Sequence, residues 1–540
     1  MPMKTAQRPT SVKSASKTAS KAPAKKDHAL VQIGAFIARL REDRGMTQAD
    51  LAAKTGTTQS VIARIEKGEQ NLSTKTLARV SQALDREIVS LSKGGTVNFR
   101  IEGGRELKGS ITVRSSKNGA LGVMIAALLN RSATTIRNAP RIEEVFRVIE
   151  VLQSIGVRCD WKPGTKANGE NKGDDLVITP PAKFDLSHAE YYSQARTRSE
   201  IMLMGPLVHY FKQFKVNQPS GCRLGSRTVK PYLYALGELG VDIETTSKHY
   251  EVSHNGLKRD RTIVMYEAGD TVTEAVLMAA ALIPGRTTLK FASANYQVQD
   301  VCFYLEQCGV QIDGVGTSTM VVHGIERIDQ PVKYAVGEDP IEAMSLIAAA
   351  IVTRSAITIE RCPIDFLELE LLKLEKMGFR YERSQPYKGV NGKVNLVDIS
   401  TKPSKLVALE EKIHALPYPG INMDNLPFFA LIGAFAEGET MIHDWTFEER
   451  AIYYKELDKL GVDSLLADPH RWYVKGPAKL KAAELVCPPA LRPSVILMLA
   501  MLAAPGTSVL RNVYNINRGY EDLAARLNKI GAKIETFRDL

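Results

Sequence analysis

The chain has 540 residues, 44% of them apolar and 24% charged, a globular composition too long for one hydrophobic core, so two to four domains are expected. Its net charge of +11 is uneven: residues 1–95 hold 17 Lys/Arg against 8 Asp/Glu, so the basic character belongs to the N-terminus. The longest apolar runs, such as 495–504, are too short to cross a bilayer, and 1–26 lacks the apolar centre of a signal peptide. Six cysteines with no Cys-x-x-Cys pair or zinc spacing point to free thiols in a reducing cytoplasm.

Residues 1–27 are Lys, Ser, Ala, Thr and Pro with almost nothing to bury, which predicts a disordered basic tail. It is either a non-specific phosphate-tracking arm or an inert solubilising extension. Residues 28–92 read as a small all-helical domain. Helical spacing runs over 31–44 and ends at Gly45. Thr47-Gln-Ala-Asp50 is a capping-box-like start to a short helix, Thr55-Gly56 turns the chain, and a second helix runs from Thr57-Thr58 to Lys67, closed by Gly68. A further helical pattern covers 73–84. Two short helices joined by a tight Gly turn are helix-turn-helix geometry, and 28–92 resembles the Cro/C1-type (XRE) repressor domain nearly throughout. The resemblance implies that Thr58, Gln59, Ser60 and Arg64 face the major groove of double-stranded DNA, that Gln48 meets a phosphate, and that the protein is a homodimer. The alternative use of such a bundle is protein contact.

After a short linker at 92–96, residues 95–540 carry a repeat. The signature Leu-x-x-apolar-Gly-apolar occurs at Leu152/Gly156, Leu236/Gly240, Leu305/Gly309, Leu374/Gly378, Leu457/Gly461 and Leu527/Gly531. Each glycine follows a helical pattern and precedes an apolar strand, the place for a left-handed helix stop. Five of the six units also hold a small-residue helix: IAALL, MAAALI, LIAAAIV, LIGAFA and LMLAMLAA. Six degenerate copies of one α/β unit predict sheets packed on central helices, and two groups of three would form two similar lobes with a ligand site between them.

Lys117, Arg198, Arg227, Arg450, Arg492 and Arg518 fall at comparable loop positions of the repeats. Singly each is a solvated charge; together they suggest a convergent anion site. The loop 219–227 sets Cys222 between glycines with Arg223 and Arg227 beside it, surroundings that lower a thiol's pKa and make it reactive. Cys302 and Cys308, on an apolar helical pattern, read as packing.

These residues carry a second resemblance. Lys117-Asn118, Arg198 with Met-Gly-Pro-Leu after it, Gly221-Cys222, Gly225-Ser-Arg227, Asp424, Phe447-Glu-Glu-Arg450, Leu491-Arg492 and Asn517-Arg-Gly-Tyr-Glu521 make 95–540 similar to the UDP-N-acetylglucosamine 1-carboxyvinyltransferase (MurA, enolpyruvyl transferase) family. The sister family acting on shikimate phosphate shares that fold but carries a different N-terminal Lys-Ser motif and lacks the cysteine loop. The resemblance implies an inverted α/β prism with 117–333 as one lobe and 95–116 plus 334–540 as the other. It implies transfer of the enolpyruvyl group of phosphoenolpyruvate to the 3-hydroxyl of UDP-N-acetylglucosamine, with release of phosphate, in peptidoglycan precursor synthesis. Lys117, Arg198, Arg227 and Arg518 would grip phosphoenolpyruvate and Asn118 the sugar. Asp424 would be the general base, and Cys222 the acid, open to alkylation by fosfomycin. Arg450 and Arg492 would help close the lobes. No metal or cofactor is implied.

The chain departs from the family pattern at four places. Lys230 stands where an Asp usually pairs with the uracil ring. Ala490 replaces the Asp of Asp-Leu-Arg, and Arg114-Ser-Ser replaces Ser-Gly-Ala before Lys117. Gly269-Asp270-Thr271 brings an acid beside the expected diphosphate, with Thr271 as a donor to it. These departures, with the fusion, carry the alternative: a catalytically weak paralogue that senses a ligand for the DNA-binding domain, or a transferase for another sugar nucleotide.

Overall fold

A computed structural model of the chain describes residues 28–42, 46–70, 72–84, 96–164, 173–187, 198–218, 228–247 and 249–538. The tail 1–27 and the cysteine loop 219–227, with Cys222 and Arg227, lie outside the described residues. The chain divides into two compact units at Gly95/Thr96.

In the first unit, helices His28–Glu42, Gln48–Thr55, Gln59–Glu66 and Thr74–Ala83 pack on one core that includes Ile37, Leu51, Ile62, Ile65 and Val80. Thr47 and Asp50 form the reciprocal capping box, and Gly56 and Gly68 close the two short helices at φ of 65° and 68°. Arg41 crosses from the first helix to Glu66 of the third, with Nε to Oε1 at 2.6 Å and Nη2 to Oε2 at 3.1 Å, a nearly buried bidentate pair that locks the bundle.

Among the described residues, the second unit contains six sheets of three to five strands. All six repeat glycines adopt positive φ, from 86° at Gly240 to 104° at Gly531. Each follows a helix and precedes a strand: Glu143–Ser154 before Arg158–Lys162, Lys230–Glu238 before Val241–Thr245, and so on round the repeat. In the fifth unit the element closed by Gly461, Ala451–Leu460, is a 3-10 helix, where the periodicity predicts an α-helix. Arg198–Leu203 is also 3-10, continued by the α-turn Met204–Leu207. The strand Gly285–Lys290 stops before Phe291, whose φ of 58° takes it off the ladder.

Two hydrophobic cores result. One is built from residues 120–336; the other combines 99–113 and Tyr296 with 341–534. Strand Val97–Gly103 lies between Gly506–Arg511 and Ile534–Arg538, and strand Lys108–Thr112 runs parallel to Ala356–Pro363, so the segment that opens the unit completes sheets of the second core. At the centre of each core lie apolar helices such as Asp270–Ala281 and Leu491–Ala503, buried along nearly their whole length. The architecture is two α/β lobes, each with its own core, preceded in the chain by a small four-helix domain. Among the described residues, no helix is long and apolar enough to cross a membrane.

Candidate active site

Helix starts and short turns supply the charged residues of the lobe junction. Helix Lys117–Ala126 is capped by Ser116, whose hydroxyl accepts from the Gly119 N–H. This cap sets Lys117 at the first position with its backbone N–H 3.4 Å from Asp339 Oδ2 of the other lobe. Asp339 in turn caps Pro340–Val352, accepting from the Ile341 and Glu342 N–H groups. Asn118 donates to the Tyr296 hydroxyl at 3.0 Å. The Lys117 ammonium lies 3.6 Å from Glu144 Oε2, and Arg518, from the other lobe, brings Nε within 3.2 Å of the same oxygen. Lys117 and Arg518 therefore share one carboxylate across the junction.

The second cluster centres on Asp424. Asn422 caps the short 3-10 turn Met423–Asn425 through the Asp424 N–H at 2.9 Å, and its amide reaches across to Asn295 Oδ1 at 3.2 Å. The half-buried Asp424 carboxylate meets Arg492 Nε and Nη2 at 3.4 Å and Arg450 Nη1 at 3.5 Å. Arg450 is buried beneath it. Its guanidinium donates to Asp444 at 2.6 and 2.8 Å and to the Met423 carbonyl at 2.6 Å, and it stacks on Phe447. Burial is the largest single influence and opposes that charge, but Asp444, Tyr454 and Asp424 together outweigh it and drive the arginine's pKa up. Arg492 donates to the Tyr520 hydroxyl at 2.8 Å. Both arginines thus form a fixed floor under Asp424.

Several departures noted in the sequence acquire a physical meaning. Ala490 is the uncapped N-cap of helix Leu491–Ala503, and Arg492 keeps its contacts to Asp424 and Tyr520 without a carboxylate there. Asp270 turns inward: its oxygens accept from Ser293 Oγ at 2.5 Å and Asn295 Nδ2 at 3.0 Å, so they are occupied within the lobe. Burial raises its pKa, the Ser293 and Asn295 hydrogen bonds oppose the rise, and the nearby charge of Asp424 adds to it. Thr271 is exposed and accepts from the Tyr232 hydroxyl at 2.6 Å. Lys230 is exposed at the start of helix Lys230–Glu238. Arg198 opens its 3-10 turn close enough to act electrostatically on Tyr232 and Tyr250.

Sequence reasoning missed Glu144, Asp339, Tyr296 and Asp444. Each takes its meaning from a partner on another element, so spacing along the chain carries no signal for it. Cys302, Cys308, Cys362 and Cys487 are buried, and burial raises their thiol pKa values, least at Cys308, to about 11, and to about 12 at Cys487.

Residues 101–539 match the family described as EPSP synthase (3-phosphoshikimate 1-carboxyvinyltransferase). The chain belongs to this family of enolpyruvyl transferases. The UDP-N-acetylglucosamine 1-carboxyvinyltransferase of Dichelobacter nodosus is 31% identical over 442 residues, covering 82% of this chain and 99% of that protein. The enzyme of the same name from Nitratiruptor is 31% identical over 447 residues, covering 82% of this chain and 99% of that enzyme. The enolpyruvyl transferase NikO from Streptomyces tendae superposes with a TM-score of 0.70 at 25% identity, covering 83% of this chain and all of that one. EPSP synthase from Acinetobacter baumannii shares the fold at a TM-score of 0.62 and 16% identity, covering 82% of this chain and all of that one.

The N-terminal unit matches the helix-turn-helix family over 37–91. Thr58, Gln59, Ser60 and Arg64 are all exposed on or beside helix Gln59–Glu66, with the Thr58 and Ser60 hydroxyls 3.0 Å apart. Gln48 donates to Glu66 Oε2 at 2.8 Å, which ties its amide to the bundle.

Proposed function

We propose that the enolpyruvyl transferase unit moves the enolpyruvyl group of phosphoenolpyruvate to the 3-hydroxyl of UDP-N-acetylglucosamine, or of a closely related sugar nucleotide, and releases phosphate. The observation that carries this reading is the pairing of two clusters at one lobe junction: Lys117 and Arg518 for an anion, and Asp424 held by Arg492 and Arg450 for a proton. The 3-oxygen bonds to C2 of the vinyl group while its proton passes to Asp424 and the Cys222 thiol protonates C3. Loss of a C3 proton and of inorganic phosphate then breaks the C2–O bond to phosphate and restores the double bond. Acid and base on separate groups suit this addition, and fixed cations offset the charge of the donor. Arg198 and Arg227 would complete the grip on phosphoenolpyruvate, Asn118 and Thr271 would contact the acceptor, and the step belongs to peptidoglycan precursor synthesis.

For the N-terminal unit, the reading is binding to double-stranded DNA. The exposed Thr58, Gln59, Ser60 and Arg64 would read base edges, and Gln48 would meet a phosphate.

The test is phosphate release from phosphoenolpyruvate by the full-length chain, with and without UDP-N-acetylglucosamine, and in Cys222→Ala. Sugar-dependent release that disappears in the variant is the expected result. Sugar-independent release, or unchanged release by the variant, would overturn the assigned chemistry.

A further inference from the structure

Glu144 presents an arrangement that substrate binding alone does not explain. It is the second residue of helix Glu143–Ser154, and its side chain is 13% exposed. Its neighbour Glu143 turns aside to pair with Arg147 at 2.8 Å, so the rest of the turn's charge is accounted for. Glu144 Oε2 instead lies 3.6 Å from Lys117 Nζ on its own lobe and 3.2 Å from Arg518 Nε on the other. The second contact is one of charge to charge, since Glu144 Oε2 and Arg518 Nε are buried out of hydrogen-bond alignment with each other. An anionic substrate gripped by Lys117 and Arg518 therefore meets a carboxylate already seated on both.

We propose that Glu144 is a positioning residue and internal counter-anion, resting on the reading of Lys117 and Arg518 as the phosphoenolpyruvate grip. With the site empty, it keeps two cations from two lobes aimed at one point and offsets their mutual repulsion. With phosphoenolpyruvate or product phosphate bound, its charge opposes the ligand's. A unit charge about 5 Å away still acts strongly at the effective dielectric of such a site. Glu144 thus weakens the hold on every anion there and lets phosphate leave after transfer. A carboxylate serving only as scaffold would have no such effect: its loss would loosen the cations and weaken binding.

The two roles predict opposite signs. Titration calorimetry with inorganic phosphate and with phosphoenolpyruvate, on full-length wild type, Glu144→Gln and Glu144→Asp, separates them. Glu144→Gln should bind both anions about tenfold tighter, with kcat and the KM for phosphoenolpyruvate falling together and stronger inhibition by phosphate. Glu144→Asp, which keeps the charge but draws it back from both cations, should fall between, and it supplies the test if the glutamine variant does not fold. Equal or weaker anion binding by these variants beside a binding wild type would overturn the proposal and leave the substrate reading standing. A wild type that binds neither anion would overturn both.

Discussion

Deleting the carboxylate of Asp444 should cost the second unit several kcal/mol, because of what it leaves behind. Asp444 is fully buried and accepts from Arg450 Nε, Arg450 Nη2 and the Tyr454 hydroxyl at 2.6, 2.8 and 2.6 Å. Asp444→Ala strands a guanidinium that is 1% exposed, with only the Met423 carbonyl and the more distant Asp424 to answer it. Breaking a buried pair from one side costs about 3–5 kcal/mol, and the orphaned tyrosine hydroxyl adds about 1 kcal/mol. Urea unfolding followed by tryptophan fluorescence suits the measurement, since buried Trp472 packs edge-on against Tyr454 at 5.6 Å. Adding Arg450→Met removes the stranded charge and should restore much of the loss. A single variant within about 1 kcal/mol of wild type, or a double variant no more stable than Asp444→Ala, would refute the reasoning.

Other expectations follow from the same geometry. Asp424→Asn keeps the shape under Arg492 and Arg450 but removes the base, so sugar-dependent turnover should fall more than ~100-fold; near-normal turnover would remove Asp424 from its role. Burial raises the carboxyl of Asp300, which accepts from the Tyr334 hydroxyl and the Gly337 N–H, to about 7. Between the ordinary carboxylate range and about 7, the unfolded chain gives up a proton that the folded chain keeps, so stability falls as pH rises through that window and levels off above it. Asp300→Asn lacks this loss, and its stability relative to wild type should rise by up to about 4 kcal/mol between pH 4 and 8; parallel profiles in denaturant unfolding at the two pH values would contradict it. In a selection from random duplex DNA, wild type should enrich a defined site and Arg64→Ala should relax it by about 1–3 kcal/mol at the contacted base. No enrichment by wild type would set the DNA reading aside.

The repeat was legible because each unit ends in the same physical need. A helix must stop and turn into a strand, only glycine does this without strain, and so Gly156 through Gly531 mark the period plainly. The helix-turn-helix was legible for a similar local reason, the Thr47–Asp50 cap and the Gly56 turn. Lys117, Arg492 and Arg518 stood out by residue type and repeat position, and Asp424 only through the family resemblance. Their partners did not. Glu144 meets Arg518, and Asn295 meets Asn422, from opposite lobes, and no local pattern records such pairings. Arg450 looks like a loop cation along the chain, and only packing reveals that Asp444 and Phe447 enclose it. Asp270 reads as an acid facing a diphosphate, until Ser293 and Asn295 are seen to occupy both its oxygens.

The identity of the product decides between an enolpyruvyl transferase for this sugar nucleotide and any other activity. Incubating the full-length protein with phosphoenolpyruvate and UDP-N-acetylglucosamine, and examining the products by proton NMR and mass spectrometry, tests it directly. The predicted result is an enolpyruvyl ether on the 3-oxygen of the sugar, with its vinyl protons, formed in equal amount to inorganic phosphate. Unchanged substrates, or phosphate without the ether, would contradict it.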